Sequence, residues 1–184
     1  MRSQPTVDQV LVADLARVML DRAAAVEPAQ VSAERRVFDT LQTAYFSDPE
    51  RALAGNDRGS GQLKFGLPGI EELLTPVLLA ASADVLAYLV GRGLLRGAAA
   101  SKRAVRRLFG LSTAEITAAA DVPAGITEAT PDTASSPGLT QDQWAEVRHI
   151  VTQALVRHAR MPQQRAELIA AAVVADGLTG NQPQ

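Results

Sequence analysis

The chain has 184 residues, 47% of them apolar, and a formal net charge of −2, so it is long enough to bury a core of its own. It contains no cysteine, which excludes disulfides, thiol catalysis and iron–sulfur clusters and is typical of a reducing compartment. Aromatic residues make up only 4%, so we expect helices that pack through small and aliphatic side chains.

Three helices are predicted in the first third of the chain, where apolar residues recur at helical spacing and period-2 alternation is absent. The first covers about residues 8–25 and the second about residues 29–45. Their expected apolar positions are Val10, Leu11, Leu15, Val18 and Met19 in the first helix, and Val37, Phe38, Leu41 and Tyr45 in the second. A short third helix is expected after Asp48 as cap, with Pro49 in its first position and Gly55 as its stop.

A nearly continuous apolar run follows, from which we predict a central helix over residues 69–91. Residues 73–91 leave no polar face on a helical wheel, a pattern typical of either a core helix or a membrane span. Asp84 lies near the middle and opposes bilayer insertion by roughly 3 kcal/mol. We favour a core helix and expect Asp84 to be a buried carboxylate with a partner, for which Tyr88 is the local candidate. Membrane insertion, permanent or triggered, and burial between subunits are the alternatives.

Residues 92–110 contain six bases and no acid, so the positive charge of the chain is concentrated there. Their helical wheel predicts a basic amphipathic helix with two faces. The candidate residues for binding an anionic partner are Arg92, Arg96, Lys102, Arg103, Arg106 and Arg107. The opposite, apolar face consists of Leu94, Val105, Leu108 and Phe109. Gly93 and Gly97 weaken the start of this helix, so we expect a bend between it and the apolar run.

Three roles suit such a basic helix. Its apolar side can pack on the core and leave the arginines in water or against an acidic surface. It can lie on anionic lipid with the apolar face down and the arginines at the headgroups. Binding to nucleic acid is the role favoured least, because no aromatic residue is interleaved to stack on bases and the whole chain is acidic.

The C-terminal third is predicted to be a linker followed by a helical hairpin. Residues 121–139 are rich in proline, small and polar residues, which indicates a flexible linker. Thr140 and Gln143 form a capping-box pattern at the start of a hairpin over residues 140–180. The expected apolar face of its first helix is Trp144, Val147, Ile150, Val151, Ala154 and Leu155. The chain would then consist of a helical domain over residues 1–120, the linker and the hairpin.

No catalytic, cofactor or metal motif is found. Glu146 and His149 have the Glu-x-x-His spacing of di-iron bundles, but the second such pair that these sites need is missing. We therefore predict no catalytic residue, no metal site and no cofactor. The abundance of alanine, arginine and leucine is typical of a protein from a high-GC bacterium.

The predicted fold class is all-α, an irregular helical bundle around a central apolar helix with a linker-connected C-terminal helical hairpin. The predicted function is a non-enzymatic interaction protein that engages an anionic membrane surface through the basic segment. The alternatives are a soluble adaptor or assembly subunit that binds an acidic protein partner, and a triggered membrane-inserting effector. We expect a cytoplasmic protein, peripheral at the inner face of the membrane in the first case, whose partners are another protein or a second copy of itself.

Overall fold

Helices alone make up the regular structure in the part of the chain that the computed structural model describes, which is residues 8–54, 73–95, 105, 108–109 and 139–179. These residues contain six α-helices and no strand, so the predicted all-α class is confirmed. The helices are α1 (Gln9–Ala23), α2 (Pro28–Ser47), α3 (Pro49–Ala54), α4 (Leu74–Gly91), α5 (Gln141–His158) and α6 (Gln163–Thr179). The predicted linker lies outside the described residues except for Leu139.

Several helix starts are set by local side chains. The Asp48 carboxylate accepts a hydrogen bond from the Arg51 amide at 3.0 Å, at the start of α3. The Thr140 hydroxyl accepts from the Gln143 amide at 3.3 Å, and the Gln143 side chain accepts from the Thr140 amide at 2.8 Å. The second pair is the predicted capping box, which satisfies orphan donors at the start of α5.

The central apolar helix is a core helix in this structure. α4 packs against α1, α2, α3 and α5, and α6 packs against α5 and α1. With 18 residues and a mean hydropathy of 1.7, α4 is long and apolar enough to cross a membrane, yet 67% of it is buried inside the protein. Each large aliphatic side chain buried in this way contributes about 1.5–3 kcal/mol to folding.

The apolar stripes of α1 and α2 face the core with one exception. Most of the predicted positions are buried, namely Leu11, Leu15, Met19, Phe38, Leu41 and Tyr45. Val18 and Val37 are half-buried. Val10 is 59% exposed, so its predicted place in the core is wrong. The reason is angular, because Val10 lies on the side of α1 that carries the exposed Arg17 and Asp21, seven and eleven residues further on.

The C-terminal hairpin belongs to the same continuous core as the N-terminal helices. Five of the six predicted apolar positions of α5 are buried, and only Ile150 is half-buried. The Arg165 guanidinium of α6 forms an ion pair with the Glu27 carboxylate at 2.6 Å, which ties α6 to the start of α2. In this packing α5 covers part of α4, and α6 covers part of α1.

Candidate functional site

The one fully buried charged side chain in the described part of the chain is Glu34 of α2. One carboxylate oxygen accepts hydrogen bonds from the Gln30 amide side chain at 2.9 Å and from the Leu74 backbone N–H at 2.8 Å. The other accepts from the backbone N–H and the hydroxyl of Thr75, both at 2.6 Å. Glu34 therefore caps the start of α4 from a different helix.

This cap replaces a local one. Leu73, the residue before α4, has no side chain that could accept a hydrogen bond from the first turn. The first backbone N–H groups of a helix have no partner within it, and the helix dipole favours a negative charge there. The Glu34 carboxylate meets both needs, so it acts as a helix cap in this structure. The sequence signal for it is an acid within the buried stripe of α2, between Val31 and Phe38.

Asp84 is exposed, so the predicted burial of this carboxylate is wrong. The helical wheel of α4 has no polar face, so it could not show which arc of the helix surface, that is, which side, the other helices leave uncovered. That arc includes Asp84 in the C-terminal half of α4. Its predicted partner Tyr88 instead lies under the guanidinium of Arg92, with the Arg92 Cζ 5.5 Å from the ring centroid. The aromatic group that Asp84 influences is Tyr45 of α2, whose pKa is raised first by burial and then by the Asp84 carboxylate.

The raised pKa of Tyr45 predicts a loss of stability in alkaline solution. The folded protein favours the protonated phenol, so this contribution is complete below the ordinary pKa of 10.0 and is lost as pH rises through the higher folded value. Wild type should therefore lose urea resistance relative to Tyr45→Phe above pH 10.0, and Asp84→Asn should make that loss smaller, because it removes one of the two causes that raise the pKa of Tyr45. If the urea midpoint of unfolding changed with pH in the same way for wild type and Tyr45→Phe, this prediction would be contradicted.

The basic segment does not begin as a continuation of α4. Gly93 adopts the left-handed conformation with φ of 71°, which glycine reaches without steric cost. The amide of Gly93 donates to the Val90 carbonyl at 2.9 Å, and that of Leu94 donates to the Leu89 carbonyl at 3.0 Å. These two bonds form a Schellman motif that ends the helix. The prediction that residues 92–95 are helical is therefore wrong. Of the two glycines from which a bend was expected, Gly93 lies in the turn that ends α4 and Gly97 lies outside the described residues.

The apolar side of the basic segment packs into the core. Val105 and Phe109 are fully buried, and Leu94 and Leu108 are half-buried. The Phe109 ring meets Trp144 of α5 edge to face, with centroids 5.4 Å apart and planes at 75°.

The backbone of the same segment is tied to two helices. The Arg22 guanidinium of α1 donates to the Phe109 carbonyl at 2.9 Å and to the Val173 carbonyl of α6 at 2.7 Å. Among the predicted anionic-partner residues, Arg92 is exposed. The others, Arg96, Lys102, Arg103, Arg106 and Arg107, lie outside the described residues.

No catalytic constellation occurs in the described part of the chain. A groove of about 590 Å³ runs along the outer side of the hairpin and is lined mainly by polar side chains such as Arg148, His149 and Glu167. The Glu167 carboxylate already accepts a hydrogen bond from Gln163 at 2.8 Å. Within the described ranges, no group of three or more His, Cys, Asp or Glu residues is placed to hold a metal ion. The groove is therefore best interpreted as the solvated side of two packed helices.

Comparisons with known proteins identify no relative. No protein-family model, curated protein or solved structure matches this chain. Its function can therefore be inferred only from its own residues, contacts and charges.

Proposed function

We propose that this is a non-enzymatic helical interaction protein whose basic segment, residues 92–110, binds an acidic protein surface through charge. The observation that carries the proposal is the burial of Val105 and Phe109. A basic helix that lies on lipid needs its apolar face free to enter the headgroup boundary. Here those apolar side chains pack in the protein core, which favours an adaptor over attachment to a membrane through this face.

The chemistry of the segment suits carboxylates. Five of its six bases are arginines, and no acid lies among them. A guanidinium presents a planar fork of donors that matches a carboxylate with two parallel hydrogen bonds. Binding of this kind is strongest at low ionic strength, because salt screens exposed charges over about 10 Å at 0.1 M.

Triggered membrane insertion is the second candidate, supported by the length and hydropathy of α4. Insertion would require α4 to leave the contacts it makes with four other helices. It would also strip the start of α4 of the Glu34 carboxylate, leaving the hydrogen-bond donors of Thr75 without their partner. These losses make the second candidate weaker than the first.

Reversal of three arginines tests the charge-driven interaction. The probes are poly-L-glutamate, as a model acidic polypeptide, and vesicles of phosphatidylglycerol or phosphatidylcholine. Wild type should bind poly-L-glutamate at low salt and release it at high salt. The triple variant Arg103→Glu, Arg106→Glu, Arg107→Glu should bind at least about tenfold more weakly, because each surface pair contributes about 0.2–1 kcal/mol and reversal turns attraction into repulsion.

A matched control carries the same change in net charge elsewhere. Arg51, Arg148 and Arg157 are exposed on α3 and α5, and changing all three to Glu should leave most of the binding intact. Equal losses in the two triple variants would show that only net charge matters and would contradict the assignment to the basic segment. Attachment to phosphatidylglycerol vesicles that survives high salt would contradict the adaptor and support the membrane candidate.

A further inference from the structure

α4 is uncovered on one side of its C-terminal half. Asp84, Ala87, Val90 and Gly91 are exposed there, although the other side of the same helix is buried. Val90 is a large apolar residue with 37% of its surface exposed. The most apolar helix of the described structure thus presents a continuous face to solvent.

Charges of opposite sign mark the two ends of this face. Asp84, Tyr88 and Arg92 follow one another at intervals of four residues, and the two charged groups are about 12 Å apart along the helix axis at 1.5 Å per residue. Both charged side chains are exposed, and neither forms an ion pair within the described part of the chain. The face therefore carries an acidic residue, Asp84, and a basic residue, Arg92, on either side of the aromatic Tyr88.

This order of charges is complementary to itself. When two copies of α4 lie antiparallel with a two-fold axis beside Tyr88, Asp84 of each copy is level with Arg92 of the other. Both ion pairs then form at once, as an isologous interface requires. A partner of another kind would have to match the same charge order by its own sequence, whereas a second copy supplies it by symmetry.

The space above the face admits a second helix. No atom lies within 4 Å of the position that a Cβ on Gly91 would occupy. Ala87 and Gly91 also project little from the helix, so two backbones can approach to the shorter end of the usual 8–10 Å interaxial distance. The exposed Val90 side chain would lose its contact with solvent when a second helix approaches.

We propose that a second copy of this chain docks antiparallel on the exposed face of α4, held by reciprocal Asp84–Arg92 ion pairs. The contact spans little more than two helical turns, so it is smaller than the roughly 800 Å² per partner of a standard stable interface. The dimer should therefore form reversibly and depend on protein concentration. This inference goes beyond the proposed binding of an acidic partner. It is tested by self-association alone, whatever the outcome for the acidic partner.

Sedimentation equilibrium of the full chain over a range of concentrations tests the dimer. Wild type should show a monomer–dimer equilibrium. Asp84→Arg and Arg92→Asp should each raise the dissociation constant at least about tenfold, since each places like charges opposite one another twice. An equimolar mixture of these two variants should dimerise again. The arginine introduced into one copy then faces the aspartate introduced into the other, while the unchanged Arg92 of the first copy faces the unchanged Asp84 of the second.

Two further variants separate the interface from the fold. Gly91→Leu should abolish dimerisation without loss of helical circular dichroism, because the position is open to solvent. The matched charge change Asp142→Arg, at an exposed position of α5, should leave the dissociation constant unchanged. The proposal would be overturned by a wild type that stays monomeric at every concentration, or by a mixture of Asp84→Arg and Arg92→Asp that dimerises no better than either variant alone.

Discussion

Phe109→Ala should lower the free energy of unfolding by about 3–5 kcal/mol, the range for removing a buried aromatic side chain from a core. The Phe109 ring is fully buried and lies edge to face with Trp144 at 5.4 Å. Such aromatic pairs contribute about 0.5–1.5 kcal/mol beyond the area they bury. The cavity left by the ring would also loosen the place where Arg22 holds the Phe109 carbonyl.

Urea unfolding followed by tryptophan fluorescence measures this loss at the contact itself, because Trp144 is the only tryptophan in the chain. Val156→Ala is the control, since Val156 is 40% exposed and its truncation should change stability by at most about 0.5 kcal/mol. A loss of less than about 1 kcal/mol for Phe109→Ala would mean that the basic segment is not held in the core. Its apolar side would then be free for lipid, against the proposed adaptor.

Glu34→Ala should be the second most harmful change, with a loss of about 2–4 kcal/mol. The substitution leaves the N–H groups of Leu74 and Thr75 and the Thr75 hydroxyl without their acceptor. A buried donor deprived of its partner costs about 1–3 kcal/mol, and rearrangement recovers part of the sum. The start of α4 would also lose the negative charge that offsets its dipole.

Two variants make the test of Glu34 specific. Glu34→Gln retains one acceptor oxygen and should lose about half as much as Glu34→Ala, whereas Glu146→Ala, at an exposed position, should have almost no effect. Hydrogen exchange adds a local readout, because amides in the first turn of α4 should exchange faster in Glu34→Ala. If Glu34→Ala were as stable as wild type, the cap would make no net contribution to folding.

The parts of the fold that the sequence predicts correctly depend on neighbours along the chain. The capping box of Thr140 and Gln143 and the Asp48 cap are interactions over three residues, so the sequence contains them whole. The buried stripes of α1, α2 and α5 follow from helical periodicity for the same reason. The two glycines led us to expect a bend, and the structure instead ends α4 just before Gly93, whose positive φ is open to glycine.

The parts that were wrong or missed depend on which helices meet. The role of Glu34 requires α2 to meet the start of α4 across 40 residues of sequence, and no local pattern carries that information. The exposure of Asp84 depends on which side of α4 the other helices cover. A helical wheel that is apolar all round does not show which side of the helix faces the core. Of the four residues of the predicted apolar face, Val105 and Phe109 are buried and Leu94 and Leu108 are half-buried, but core packing and lipid binding require the same residues. The burial of Val105 and Phe109 and the contact between Phe109 and Trp144 favour core packing.

Trp144 fluorescence in the presence of vesicles tests most directly whether the apolar side of the basic segment belongs to the core. The intact protein is mixed at low salt with phosphatidylglycerol vesicles whose acyl chains carry bromine, a short-range quencher of tryptophan. With Phe109 seated against Trp144 in the core, the intensity and the wavelength of the emission should stay the same, whether or not the protein adheres to the vesicle surface. Quenching by the brominated chains, or a red shift as Phe109 leaves Trp144, would contradict the account.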